Sequence, residues 1–314
     1  MKLPLLLAWF AVATLSAQPR TFPPWSGGAN NPASDKGYEF QVPDVNNVPD
    51  LHGNPNQALL VLFVAGNQFM VMPDLIQAFE AGHPDVRGRI FYETLPPGIL
   101  RKQLDANGAI TLGNLTVQVQ PDVFEAGLNT IREMEMEQIL DQPIPYATND
   151  LAIMVREGNP LNIRSLTNLA DDTVRLSMPN PEWEGVARQI ALALEKAGGA
   201  DLVDRVMEQK TKAGTTLLTQ IHHRQTPMRI LSGQSDAGVT WASEVAFQQR
   251  IGNTLEGVPI PTAQNVTATY AAGMLRNAPH RQAAAAWLAF LGSQTAQEIY
   301  AAHGFKTVSA ENSP

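Results

Sequence analysis

A handful of short stretches carry residue types from which a site could be built. The apolar run Leu59 to Val64 stops at Ala65-Gly66-Asn67 and then resumes with helical spacing. A strand that turns straight into a helix aims unpaired backbone N–H groups at the space beyond the sheet edge, where an anion or other acceptor can bind. Thr94 to Gly98 and Asn180 to Gly185 have the same character. Any one of these turns alone is ordinary connection chemistry; together they point to a shared ligand site. His222-His223-Arg224 is the densest polar cluster, but adjacent histidines point in different directions and rarely chelate one metal. It reads as a surface loop or a helix start. "GQSDAG" (Gly233 to Gly238) approaches a nucleophile elbow with one residue too many before the second glycine. "EMEMEQ" places Met134 and Met136 among acids, as a helix with mixed faces does more often than a copper site. No phosphate loop, dinucleotide fingerprint or zinc-protease helix is present. With no cysteine in the chain, thiol catalysis and thiolate metal sites are excluded. No catalytic residue, metal site or cofactor is expected, and the chain reads as a binding protein rather than an enzyme.

These turns need elements to hold them. "ALLVLFVAG" reads as a buried strand and "MPDLIQAFEAGHP" as a helix with Leu75, Ile76 and Phe79 on one face and Pro73 in its first turn. "GRIFYETLPPGILRKQLDANG" repeats strand, turn and helix. "LTVQVQPDVFEAG" is one or two strands and "NDLAIMVREGNP" another. "TVRLSMPNPEWEGVARQIALALEKAGG" is strand, loop and helix, stopped at Gly198-Gly199. The C-terminal stretch reads as two helices parted near Gly292, with Thr295 and Glu298 spaced for a capping box. Strands alternating with helices imply α/β architecture with largely parallel sheets, in which ligands sit beyond the carboxyl ends of strands.

The 314 residues suffice for two compact domains, and 44% hydrophobic with 17% charged is a globular composition. A net charge of −8 argues against a nucleic-acid partner. Met1-Lys2 is followed by "LPLLLAWFAVATL" and then "SAQPR", the layout of a signal peptide (residues 1–17) cleaved near Ala17. Residues 18–56 are rich in Pro, Gly, Asn and Asp and read as an arm or linker.

Taken in order, five segments resemble the type II periplasmic solute-binding proteins of ABC importers, most nearly the molybdate/tungstate-binding branch. They are "LFVAGNQFMVMPDLIQAFEAGHPDV", "QPDVFEAG", "YATNDLAIMVREGNPLNIRSLTNLA", "ILSGQSDAGVTWASEVAF" and "AAAAWLAFLGSQTAQEIYAAHGF". The resemblance covers most of Ala58 to Phe305. It implies a two-lobed α/β fold, each lobe a mostly parallel sheet flanked by helices, with a cleft between. Lobe 1 would be 57–147 and 252–314, and lobe 2 would be 148–251. The crossings would lie at Tyr146 to Asn149 and within Glu244 to Pro261.

The resemblance also implies a role. An exported, monomeric protein in the periplasm would capture a small solute, such as molybdate or tungstate, and deliver it to an importer permease. The alternative is a periplasmic sensor or accessory protein for a metal cation or small organic ligand. Residue by residue, it places Asn67 and Gln68 as donors on the first lobe, with Thr94 and Gly98 from a second loop; the turn into the helix offers the Phe69 N–H as an alternative to that of Gln68. Trp183, Glu184 and Gly185 stand at the opposing helix N-terminus, and Trp241 ends the return strand. Asn67 replaces the family's serine, and Trp241 replaces a tyrosine. Glu93, Glu125, Glu182 and Glu184 fall near this cleft. Either they face solvent or cap helices, or the ligand is a cation or carries amines, since a bare carboxylate repels an anion.

Overall fold

The computed structural model describes residues 50–112, 115–220 and 222–308; the expected signal segment 1–17 and all of the arm before Asp50 lie outside them. In chain order the elements are β1 (Leu51–His52), β2 (Leu60–Ala65), a 3-10 turn (Gly66–Gln68), α1 (Met72–Gly82), β3 (Ile90–Leu95), α2 (Pro97–Asp105), β4 (Ala109–Leu112), β5 (Leu115–Gln118), β6 (Val123–Gly127), α3 (Leu128–Met136) and β7 (Leu140–Arg156). There follow β8 (Leu176–Met178), α4 (Gly185–Val203), α5 (Lys210–Lys212), β9 (Thr216–Leu218), α6 (Gln225–Leu231), β10 (Ala237–Trp241) and α7 (Ala242–Arg250). The chain closes with β11 (Leu255–Pro259), β12 (Thr267–Leu275), α8 (Arg281–Leu291), α9 (Gln294–Ala302) and β13 (Lys306–Thr307).

The fold is two-lobed. In the first lobe β2 runs parallel to β3 and β6, and all six of its side chains are buried. Such a strand is covered on both faces, which is why its sequence is a continuous apolar run rather than an alternation. One face carries Phe79, Trp287 and Tyr300; the other carries Phe63, Phe91 and Phe124. Trp287 meets the Phe79 ring edge to face, centroids 5.1 Å apart. In the second lobe β10 runs parallel to β8, and β8 to β9. Its core gathers Ile153, Leu176, Ile190 and Val239.

β7 joins the lobes. Its first part, to Asp150, pairs antiparallel with β12, and its last part, from Leu151, pairs with β10 and β11. The strand leaves the first sheet and enters the second between Asp150 and Leu151 without a break. There the side chain of Asn265 stands in for a strand: its Nδ2 donates to the Leu151 carbonyl at 2.9 Å, and its Oδ1 accepts from the Leu151 N–H at 3.1 Å. Asn149 Nδ2 donates to Ser243 Oγ at 2.8 Å, tying the first turn of α7 to the same crossing. The return crossing is 260–266, because β11 pairs with β7 residues 152–156 and Ile260 packs in the second core. The sequence reading assigns 252–260 to the first lobe; the structure places it with the second.

Two local readings also meet the structure. α4 is interrupted at Gly198 and Gly199, the latter at φ 74°. That conformation favours glycine, and the helical path resumes beyond it. The last helix is capped by Ser293, whose side chain accepts from Ala296 N at 3.3 Å, in place of a Thr295–Glu298 box. Because Gln294 already begins the helix, Thr295 lies inside it.

Candidate functional site

Between the lobes lies a cavity of about 240 Å³. Its floor is buried: Asn67 from the turn after β2, Tyr270 from β12, Trp241 at the end of β10, and His222 and His223 beyond β9. Its walls include the first turns of two facing helices, Leu128 to Thr130 of α3 and Gly185 to Val186 of α4. The first-turn N–H groups of a helix have no partner within it, and the helix dipole adds partial positive charge there. Arg188 and Gln189 of α4 stand at the rim. Arg188 is exposed and makes no ion pair among the described residues.

On the floor, Asn67 Nδ2 donates to the Tyr270 hydroxyl at 2.5 Å. Burial pushes the Tyr270 pKa well up, so the phenol keeps its proton. Its oxygen accepts from Asn67, and the Asn149 side chain is a second hydrogen-bonding partner. Tyr270 is 3% exposed and lines the cavity, so its hydroxyl can turn to a bound acceptor.

Glu184 lines the cavity without presenting a bare charge. One carboxylate oxygen accepts from the Thr219 hydroxyl and from Asn180 N at 3.2 Å. The other accepts from His223 N at 2.5 Å and lies 2.8 Å from His223 Nδ1. Burial alone would raise the Glu184 pKa, but His223 and Thr219 hold it below the usual range. Burial alone would lower that of His223, but Glu244 and Glu184 outweigh it and raise it to about 10. His223 is therefore a cation at neutral pH. Its Nε2 lies 2.9 Å from Glu244 Oε2, an ion contact without the alignment of a hydrogen bond. Thr240 Oγ1 donates to the same Glu244 oxygen at 3.0 Å.

A second cluster spans the lobes. Arg224 Nη2 donates to Asp50 Oδ1 and, at 2.9 Å, to the Thr94 carbonyl. His222 Nε2 lies 3.0 Å from Asp50 Oδ1. The Arg224 guanidinium also lies 4.7 Å from the Phe69 ring centroid. Burial would raise the Asp50 pKa; His222 and Arg224 hold it low. Burial, then Arg224, lower that of His222, which is neutral at pH 7. The His222 ring packs so closely on Gly66 that a Cβ there would lie 2.9 Å from His222 Cε1. Gly66 serves this close approach.

The residues singled out from the sequence divide. Asn67, Glu184, Gly185 and Trp241 line the cavity. Gln68 does not: its Nε2 donates to the Tyr146 hydroxyl at 2.7 Å and its Oε1 accepts from Tyr300 at 2.8 Å, inside the first lobe. Phe69 packs edge to face on Phe247. Thr94 is buried behind the turn, its N–H donating to the Asp50 carbonyl at 2.8 Å. The Gly98 N–H donates to the Trp183 carbonyl at 3.3 Å, so Gly98 and Trp183 meet each other across the lobes rather than a ligand. Of the four acids, Glu93 and Glu125 are buried away from the cavity. Burial raises Glu93 to about 8, against a hydrogen bond from Gln103, and Glu125 to about 7, against one from Trp287. Glu182 is exposed, 3.9 Å from Lys102.

His222-His223-Arg224 leads directly into α6, which agrees with the helix-start reading, but it does not lie at the surface: the three are 0%, 5% and 3% exposed. The available signal was position. They follow β9, a parallel strand, so they stand at its carboxyl end, where ligand sites lie. Three-residue β9 is too short to show in the pattern. The α3 N-terminus and Tyr270 left no comparable mark.

Residues 60–306 match the family of bacterial extracellular solute-binding proteins. The sequence matches no curated protein. Among solved structures, the sulfate-binding protein SubI from Mycobacterium tuberculosis H37Rv is similar at a TM-score of 0.67, with 20% identity over 81% of this chain and 88% of that one. The periplasmic molybdate-binding protein of Azotobacter vinelandii is similar at 0.62, with 14% identity over 80% of this chain and 100% of that one. A periplasmic thiamin binding protein is similar at 0.62, with 14% identity over 81% and 85%. The shared fold thus holds ligands of unlike chemistry, and the choice among them rests on the lining of the cavity.

Proposed function

The chain belongs to the bacterial extracellular solute-binding proteins, and from that premise we propose that it captures a small anionic solute between its lobes and presents it to the permease of an ABC importer. In this reading the protein acts as a monomer on the outer side of the inner membrane, exported by the segment 1–17. Among the described residues no helix is long and apolar enough to cross a membrane.

The observation that carries the anion reading is the state of Glu184. Among the described residues it is the only acid in the cavity lining, and four donors saturate it. The lining also offers donors and positive charge: the Tyr270 hydroxyl, the first-turn N–H groups of α3 and α4, and Arg188. A dry cleft of donors binds an oxyanion through charge-assisted hydrogen bonds. Molybdate, tungstate and sulfate share that chemistry, and the solved relatives named for sulfate and molybdate support it. A cationic solute would need free carboxylates, and Glu93 and Glu125 are turned into the first core. A thermal-shift screen of oxyanions against cations tests this. A solute at 100 times its Kd raises stability by about 2.7 kcal/mol. Stabilisation by oxyanions is expected; stabilisation by cations alone would overturn the reading.

A further inference from the structure

The two lobes are already in contact. The Gly98 N–H reaches the Trp183 carbonyl at 3.3 Å, and a Cβ on Gly98 would lie 2.9 Å from Trp183 Cα. His222 meets Gly66 as closely. Further closing on that side would drive backbone into backbone. The cavity of about 240 Å³ is therefore the space that a captured solute has to fill. Water's share of liquid volume is about 30 Å³, so the space equals that of roughly eight waters. A bare tetrahedral oxyanion, one central atom and its oxygens, leaves much of it empty.

Part of the remainder is apolar: Pro96, Pro97, Leu128, Val186 and Trp241 line it beside the polar Asn129, Gln189, Thr267 and Thr269. An unfilled space against the apolar groups loses dispersion contacts. The donors lie on separate sides: the Tyr270 hydroxyl on the floor, α3 on one wall and α4 on the other. Three directions suit the splayed oxygens of a tetrahedral head better than the two coplanar oxygens of a carboxylate. Tyr270 supplies an observation independent of the helix ends, since it is a 3% exposed phenol that keeps its proton and lines the cavity.

Resting on the anion reading above, we propose that the solute is an organic oxyanion: a phosphate or sulfonate head on a short carbon body. The head sits between Tyr270 and the first turns of α3 and α4. The body lies against Leu128, Val186 and Trp241, with the exposed Arg188 over the outer end.

Calorimetric titration of the ligand-stripped full chain tests this with two matched pairs: inorganic phosphate against glycerol 3-phosphate, and sulfate against 2-hydroxyethanesulfonate. In at least one pair the organic member is expected to bind roughly ten-fold tighter or more, from burial of its carbons. Leu128→Trp, which fills the space meant for the body, is expected to abolish that preference while far-UV circular dichroism stays unchanged. Inorganic anions that bind as tightly as or tighter than their organic partners overturn the organic class and leave the anion reading standing. A preference that survives in Leu128→Trp overturns the placement of the body. Failure of all four anions, with a cation binding instead, overturns the anion reading itself.

Discussion

Asp50→Asn is the most informative single change to the contact between the lobes. Asp50 is 5% exposed and stands just before β1, its carbonyl accepting from Thr94 N at 2.8 Å within the first lobe. Among the described residues its carboxylate is the only anion holding Arg224, which belongs to the second lobe, is 3% exposed and already has Nε and Nη1 unpartnered. Neutralising Asp50 leaves a buried guanidinium with only neutral partners among the described residues: the Thr94 carbonyl, the His222 ring 2.8 Å from Nη2, and the Phe69 ring. Removing one partner of a buried ion pair costs about 3–5 kcal/mol. Here the cost falls on the closed arrangement alone, since opening the lobes returns Arg224 to water. A loss of about 3 kcal/mol in closure lowers apparent solute affinity by roughly 100-fold. The expected outcome is that calorimetric loss, a larger radius of gyration by small-angle scattering in the presence of solute, and a melting temperature of the unliganded protein within a few degrees of wild type. Asp50→Asn/Arg224→Gln should recover much of the affinity. Wild-type affinity and radius in the single variant would refute the clasp.

Other outcomes follow from the cavity and the first core. Tyr270→Phe removes the floor hydroxyl and should weaken anion binding by about 1–3 kcal/mol in calorimetry; unchanged binding would remove Tyr270 from the site. Trp241 lies 5.9 Å from the Tyr270 ring in the cavity lining, so its fluorescence should respond to solute and Trp241→Phe should abolish most of that response. Glu125 titrates near 7 rather than 4.5 because of burial, so its contribution is full below pH 4.5 and is lost as pH rises through 7. The difference corresponds to roughly 3 kcal/mol, and Glu125→Gln, whose carbonyl can still accept from Trp287 Nε1, should be more stable than wild type at pH 8 by denaturant titration, with no advantage at pH 4. An equal gain at both pH values would show that the carboxyl does not ionise in the fold.

Much of the fold was legible because it is written in runs. The apolar stretch of β2, the Gly66 turn and the glycine break in α4 each have a local cause, and each is found where the pattern puts it. The boundary of the second lobe was not legible. β11 (Leu255–Pro259) alternates like any edge strand, and only its pairing with β7 assigns it. Of the cavity lining, Asn67, Glu184, Gly185 and Trp241 were reachable because ligands gather at the carboxyl ends of strands. Gln68 obeys the same rule yet points into the first lobe, since adjacent residues in a tight turn face opposite ways, and Thr94 is buried within β3. His222-His223-Arg224 looked like surface because three consecutive polar residues usually are. Its burial depends on Asp50, Glu184 and Glu244, partners distant in sequence that no local pattern reveals.

The central claim is that the cleft selects an anion through donors while Glu184 is silenced by His223. It is tested most directly by calorimetric titration of the protein, stripped of solute by unfolding and refolding, with a panel of oxyanions, organic phosphates and sulfonates, and small cations. The account predicts one-to-one binding of an anion that is lost on Tyr270→Phe combined with Arg188→Ala. Binding of a cation with no anion retained, or anion binding indifferent to both changes, would contradict it.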